Sequence, residues 1–177
     1  MHVPWRRVSS WHCTACGECC ERYRVRLTTY EYLKLRATGF VEEKAGRFYI
    51  KKFGSKCPFQ YGNLCMLQNK LKPSACRLFP FVVRKRGVEE AYFEFEGESY
   101  YVYVDTFCPN LKLKSDTKPS KKIIPLIIEA IKIYKGEVMG VELLTARVAN
   151  QSHHQTSFLA PFQLREGRIT RKRILLL

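Results

Sequence analysis

Polar and apolar residues alternate along Arg22-Tyr23-Arg24-Val25-Arg26-Leu27, the period-two pattern of a strand with one basic face. The next residues, Thr28-Thr29-Tyr30-Glu31, have the form of a capping box. Leu33 and Leu35 follow, and Gly39 stands where a helix would close, so a helix is predicted to begin at Thr28. Residues 47–53 read as a strand ending at Gly54, which leaves Cys57 and Cys65 on a loop around Tyr61-Gly62-Asn63. Segments 79–84, 91–95 and 99–105 are rich in Phe, Tyr and Val. Arg86-Gly87 and Glu96-Gly97-Glu98 separate them, as in an antiparallel meander, and Cys108 follows the last strand.

Residues 121–134 have the apolar density of a helix, with Pro125 tolerable only in its first turn and Gly136 as its stop. A second helix is predicted over 138–148, and Gln163-Leu164-Arg165-Glu166-Gly167-Arg168-Ile169 suggests a terminal hairpin. The pattern predicts an α+β fold: a small antiparallel sheet with cysteine-rich metal-binding loops at one side, and C-terminal helices. It is read as a single domain over 1–177, with a cysteine-cluster region over 11–110 and a helical extension over 120–177.

Composition narrows the class. A chain of 177 residues with 46% hydrophobic and 27% charged residues can build one sizeable core and lacks the signature of disorder. The start, Met1-His2-Val3-Pro4-Trp5-Arg6-Arg7, has no apolar run behind its charges and does not read as a secretory signal. The longest apolar stretch, 123–133, contains Glu129 and Lys132 and falls short of the roughly 20 apolar residues of a membrane span. A cytoplasmic protein that does not enter a membrane is expected.

Eight cysteines in a reducing compartment call for metal ligation rather than disulfides. Four stand in one run, Cys13-Thr14-Ala15-Cys16-Gly17-Glu18-Cys19-Cys20; Cys57, Cys65, Cys76 and Cys108 follow. All eight are candidate ligands, and four thiolates form the usual shell of structural zinc and of iron–sulfur clusters, so the count permits two complete sites. Two-residue spacing lets Cys13, Cys16 and Cys19 face one centre. Cys20 either faces a second centre or serves the first in place of Cys19, and diverging neighbours predict that the two split between centres. Cys57-Pro58 and Cys108-Pro109 match the Cys-Pro step of ferredoxin motifs, which favours iron–sulfur, one or two [4Fe–4S] clusters, over zinc.

Several ordered motifs carry a resemblance: Trp11-His12-Cys13-Thr14-Ala15-Cys16-Gly17-Glu18-Cys19-Cys20, Leu27-Thr28, Cys57-Pro58-Phe59, Cys65-Met66-Leu67, Lys72-Pro73-Ser74-Ala75-Cys76-Arg77-Leu78-Phe79-Pro80-Phe81 and Cys108-Pro109. Over about residues 11–110 the chain resembles the YkgJ-like CxxCxxCC family of zinc- or iron-chelating cysteine-cluster domains. The resemblance implies metal chelation and a redox role. Flagellin lysine methylases look similar around their cysteine cluster, but no glycine-rich nucleotide loop follows a strand here. The family's usual Arg-Pro is Lys72-Pro73 in this chain.

A formal charge of +15 falls to about +11 once eight thiolates and either two zinc ions or two clusters are counted, so charge does not separate the metals. The basic residues are dispersed, which fits weak nucleic-acid affinity. His12 is a possible substitute ligand, while His153 and His154 read as surface residues. Arg77, beside Cys76, either donates hydrogen bonds toward anionic sulfur or forms a salt bridge. Leu78-Phe79-Pro80-Phe81 reads as an apolar wall around the site. Three functions follow in order of preference: an iron–sulfur protein passing electrons or clusters to a redox partner, a structural zinc module with a basic surface for RNA or another polyanion, and a metal-dependent modification enzyme. No acid–base pair or nucleophile stands out.

Overall fold

The computed structural model describes residues 1–68 and 71–137; the helix predicted over 138–148 and the hairpin at 163–169 lie outside the described residues. In chain order the strands and α-helices are β1 (His2–Pro4), β2 (Val8–Ser10), α1 (Glu18–Arg22), β3 (Arg26–Leu27), α2 (Thr29–Leu35), β4 (Val41–Lys44), β5 (Arg47–Ile50), β6 (Gln60–Tyr61), β7 (Leu64–Cys65), α3 (Ser74–Leu78), β8 (Phe81–Arg84), β9 (Tyr92–Phe95), β10 (Glu98–Asp105), β11 (Lys112–Leu113) and α4 (Ile124–Lys135). The fold is mixed α+β, as predicted.

β10 organises the largest sheet, pairing antiparallel with β8, β9 and β1. Its alternation is strict: Tyr100, Val102 and Val104 are fully buried. They pack in one cluster with Ile123, Ile127, Ala130 and Ile131 of α4 and its first turn, and with Trp5, Trp11 and Phe81. Burying each large side chain is worth about 1.5–3 kcal/mol. α4 carries Pro125 in its first turn and closes at Gly136, whose left-handed φ of 82° a Cβ would resist.

A second core gathers Val25, Leu27, Leu35, Val41, Ile50 and Phe59 from the three-stranded sheet β3-β5-β4, from α2 and from the loop that follows. The capping box of α2 is complete: Thr28 Oγ1 accepts from Glu31 N, and Glu31 Oε2 accepts from Thr28 N at 2.8 Å.

Two local expectations are corrected, and one element was not foreseen. Residues 22–27 are a strand only at Arg26–Leu27, because Glu18–Arg22 forms a helical turn whose Tyr23 N–H still bonds to Cys19 O. The segment carrying Cys76 is a five-residue helix, too short for a helical period to show. The loop around Gly62-Asn63 is a hairpin, β6 against β7, with Gln60 opposite Cys65 and Tyr61 opposite Leu64. Among the described residues no helix is long and apolar enough to cross a membrane.

Candidate metal centre

All eight cysteines are free thiols; Cys16 is exposed, Cys108 is buried and the other six are half-buried. The chain curls tightly to present the first of them. Ala15 adopts a positive φ of 53° and Gly17 one of 83°, the second of which caps α1. A Cβ on Gly17 would meet Gln60 Nε2 at 2.8 Å and Asn63 Oδ1 at 3.5 Å, so the absence of a side chain lets the cysteine run pass against the β6–β7 hairpin.

Contacts and fields sort the thiols into five and three. Cys19 and Cys20 touch through a sulfur–sulfur hydrogen bond, which, with the charge of Lys72 nearby, lowers Cys19 to about 6 against the cost of burial. The same bond, burial and repulsion from Cys19, Cys57 and Cys65 push Cys20 strongly up. Burial raises Cys57 and Cys76, and each also feels Cys19 and Cys65. Cys57 and Cys76 pack against the second core.

Of the other three, Cys108 is a buried member of the first core and Cys13 packs against it, while Cys16 is exposed. Burial raises Cys108, opposed by a hydrogen bond from Trp11, and its charged neighbours are Cys16 and Cys13. The indole N–H of Trp11 donates to Cys108 Sγ at 3.1 Å. Asn110 Nδ2 donates to Thr14 Oγ1 at 2.8 Å and reaches Cys16 Sγ at 4.0 Å, stitching the segment after β10 to the N-terminal curl.

The expected divergence of Cys19 and Cys20 is not what the structure places: the two sulfurs meet, Cys19 beside Cys57, Cys65 and Cys76 and Cys20 beside Cys57 and Cys65. Successive residues on a helical turn are about 100° apart, not on opposite faces as in a strand, so two neighbouring sulfurs can meet. Among the described residues no three His, Cys, Asp or Glu side chains converge as a single-ion shell requires. The thiols stand as neighbours.

The two Cys-Pro steps share a feature. Proline has no N–H, and the amide two residues beyond the cysteine bonds back to its sulfur: Phe59 to Cys57 and Asn110 to Cys108. These donors, with Trp11, were the part of the site not singled out from sequence; the repeated Cys-Pro-x spacing was the available signal. Lys72, standing where an arginine was expected, supplies charge to Cys19 and Cys76 and donates to Gln68 Oε1 at 2.9 Å.

Arg77 is buried, with burial lowering its pKa and the carboxylates of Glu31 and Glu129 supporting its charge. Glu129 is itself buried on α4. His12 is exposed, and His153 and His154 lie outside the described residues. Leu78 and Phe79 pack against the first core, while the Phe79 ring meets Tyr23 at 5.7 Å; Tyr23 is raised by burial and then by Cys76.

Residues 12–113 match the model of the CxxCxxCC family, described as "Putative zinc- or iron-chelating domain". No curated protein and no solved structure was found to match the chain.

Proposed function

The chain belongs to the CxxCxxCC family of metal-chelating domains, and from that premise we propose that it is an iron–sulfur protein with an electron- or cluster-transfer role in a reducing compartment such as the cytoplasm. Its ligands come from Cys19, Cys20, Cys57, Cys65 and Cys76 on one side and from Cys13, Cys16 and Cys108 on the other.

The observation that carries this reading is the set of N–H donors aimed at sulfur: Trp11 and Asn110 at Cys108, and Phe59 at Cys57. Such donors stabilise negative charge on sulfur and set a cluster's reduction potential. A neutral buried thiol gains little from them. The donor set fits a [4Fe–4S] cluster chemically, since each of its irons takes one cysteine sulfur and the sulfurs need not converge on one point as around a single ion. When bound, the cluster supplies one-electron chemistry. The protein's residues hold the thiolates and donate to their sulfurs.

Anaerobic purification followed by visible absorption and by iron, sulfide and zinc analysis tests the proposal. Brown protein with iron and acid-labile sulfide is expected. Colourless protein with stoichiometric zinc overturns it in favour of a zinc module, whose partner for the +15 chain would be a polyanion.

A further inference from the structure

We propose that the outer face of the β3-β5-β4 sheet is a docking surface for single-stranded nucleic acid, gripping the phosphate backbone through Arg24, Arg26, Lys44 and Arg47. The inference goes beyond the metal chemistry and does not depend on which metal the chain holds.

Cations that are dispersed along the sequence are gathered here by strand register. Arg26 of β3, Tyr49 of β5 and Glu42 of β4 stand opposite one another across the three strands; two residues along, Arg47 stands opposite Lys44. Alternation keeps these residues on one face and turns Leu27, Ile50 and Val41 to the other, where they are buried in the second core. Arg24, just before β3, joins the outer face: its guanidinium lies over the Tyr49 ring at 4.2 Å, and Nη2 pairs with Glu42 Oε1 at 3.2 Å. The face thus carries four exposed cations and one carboxylate.

The pair Lys44 and Arg47 carries the argument. They face one another where β4 turns into β5 through Ala45 and Gly46, both at positive φ, and like charges directly opposite in a sheet are destabilising. Neither of them, nor Arg26, has an ion pair with a described residue, and the face's one carboxylate is taken by Arg24. An anion from outside relieves the repulsion that the fold leaves in place. Residues 138–177 carry six basic and two acidic side chains and the whole chain +15, so neither they nor a second copy complement the face.

Three of the four cations are arginines, whose planar forks match phosphate oxygens in pairs. Apart from half-buried Tyr49 beneath Arg24, no aromatic or aliphatic side chain stands on the face. It therefore lacks the apolar anchor of a protein interface and the apolar side of a membrane-surface segment. Neighbouring strands are about 5 Å apart and cations on one strand repeat at about 7 Å, a grid that a flexible single strand can follow with successive phosphates. Contacts of this kind grip the backbone and do not read sequence.

The full chain with its metal is titrated into a fluorescein-labelled oligouridine of about twelve nucleotides, with binding read by anisotropy between about 50 and 200 mM salt. Wild type should show a slope of log association constant against log salt of about −3, from four contacts at about −0.7 each. Lys44→Glu should weaken binding about tenfold and flatten the slope by about one unit. Its melting temperature should hold or rise, because a carboxylate there faces Arg47, and its metal content should be unchanged. Lys121→Glu makes the same change of net charge just before α4 and should leave affinity within about twofold. Arg26→Gln should weaken binding several-fold, and it decides the matter if Lys44→Glu melts lower.

The proposal is overturned if oligouridine does not bind, or if Lys121→Glu weakens binding as much as Lys44→Glu. It is equally overturned if Lys44-dependent binding is tighter to a duplex of the same length, to polyglutamate or to vesicles containing phosphatidylserine. Metal-free protein whose Lys44-dependent binding persists overturns the metal reading and leaves this one standing.

Discussion

Glu31 Oε1 accepts a hydrogen bond from the backbone N–H of Ser74 at 2.6 Å, across 43 residues of sequence, while the other oxygen of the same carboxylate holds Thr28 N. One side chain thus closes the start of α2 and fixes the start of α3, the helix that carries Cys76 two residues on. Its charge also supports buried Arg77. Replacing it unties both helix starts.

Glu31→Ala should destabilise the protein by about 2–3 kcal/mol, the sum of a lost cap and a lost charge-assisted hydrogen bond. Chemical denaturation measures this. Metal occupancy should fall in the same variant, because Cys76 loses the anchor of its helix. Unchanged stability would show that water satisfies Thr28 N and Ser74 N equally well.

Gly17→Ala probes the close pass between the cysteine run and the hairpin. The new Cβ meets Gln60 Nε2 at 2.8 Å, and a φ of 83° resists any side chain, so a cost of about 1–3 kcal/mol is expected. Gln60 Nε2 also donates to Gly62 O at 3.0 Å, which holds it in place. A double variant, Gly17→Ala with Gln60→Ala, should recover the steric part and leave the conformational part.

Trp11→Phe removes the donor to Cys108 and keeps a ring against Phe81, which Trp11 meets edge-on with centroids 5.4 Å apart. A stability loss of about 1 kcal/mol is expected. The more telling readout is the reduction potential of the centre containing Cys108, which should become more negative, since losing an N–H donor disfavours the more negatively charged reduced state. The centre containing Cys76 should not respond. A shift at both centres would show that the indole acts through packing.

Metal affinity should fall steeply with acid. Burial pushes Cys57 and Cys76 above the ordinary thiol range, so both bind metal only by releasing a proton. Each such proton costs about tenfold in apparent affinity per unit of falling pH, giving roughly hundredfold or more between pH 8 and pH 7. Cys19, lowered to about 6, is already a thiolate in that range and adds its share only below it. Competition of zinc against a chromophoric chelator at the two pH values measures the slope. A change under tenfold would mean that the thiols are already ionised.

Much of the scaffold was legible because its signals are local. The alternation of Tyr100, Val102 and Val104 marked β10, Thr28 and Glu31 marked the start of α2, and Pro125 with Gly136 bracketed α4. The short elements were not. β1 contains Pro4 and is a strand through its pairing with residues 103–105 of β10, a long-range contact that no local pattern reports. α1 and α3 span five residues each, little more than one turn, and α1 ends on Arg22, the first residue of a predicted strand. Cysteine identity was visible, but grouping was not, because it depends on Trp11 and Asn110 drawing the segment after β10 onto the N-terminal curl and on two helical neighbours turning their sulfurs the same way.

Each thiol group is attached to a different hydrophobic core, Cys13 and Cys108 to one, Cys57 and Cys76 to the other. Proteins open in cooperative parts, and a metal escapes only as fast as the part that grips it opens. Metal held by one group should therefore have a lifetime independent of metal held by the other. Hydrogen exchange would report two protection classes, the amides of β10 and α4 in one and those of β4, β5 and α2 in the other. A cell could then lose the labile metal from one core by oxidation or chelation and restore it on the same folded chain, without dismantling the other.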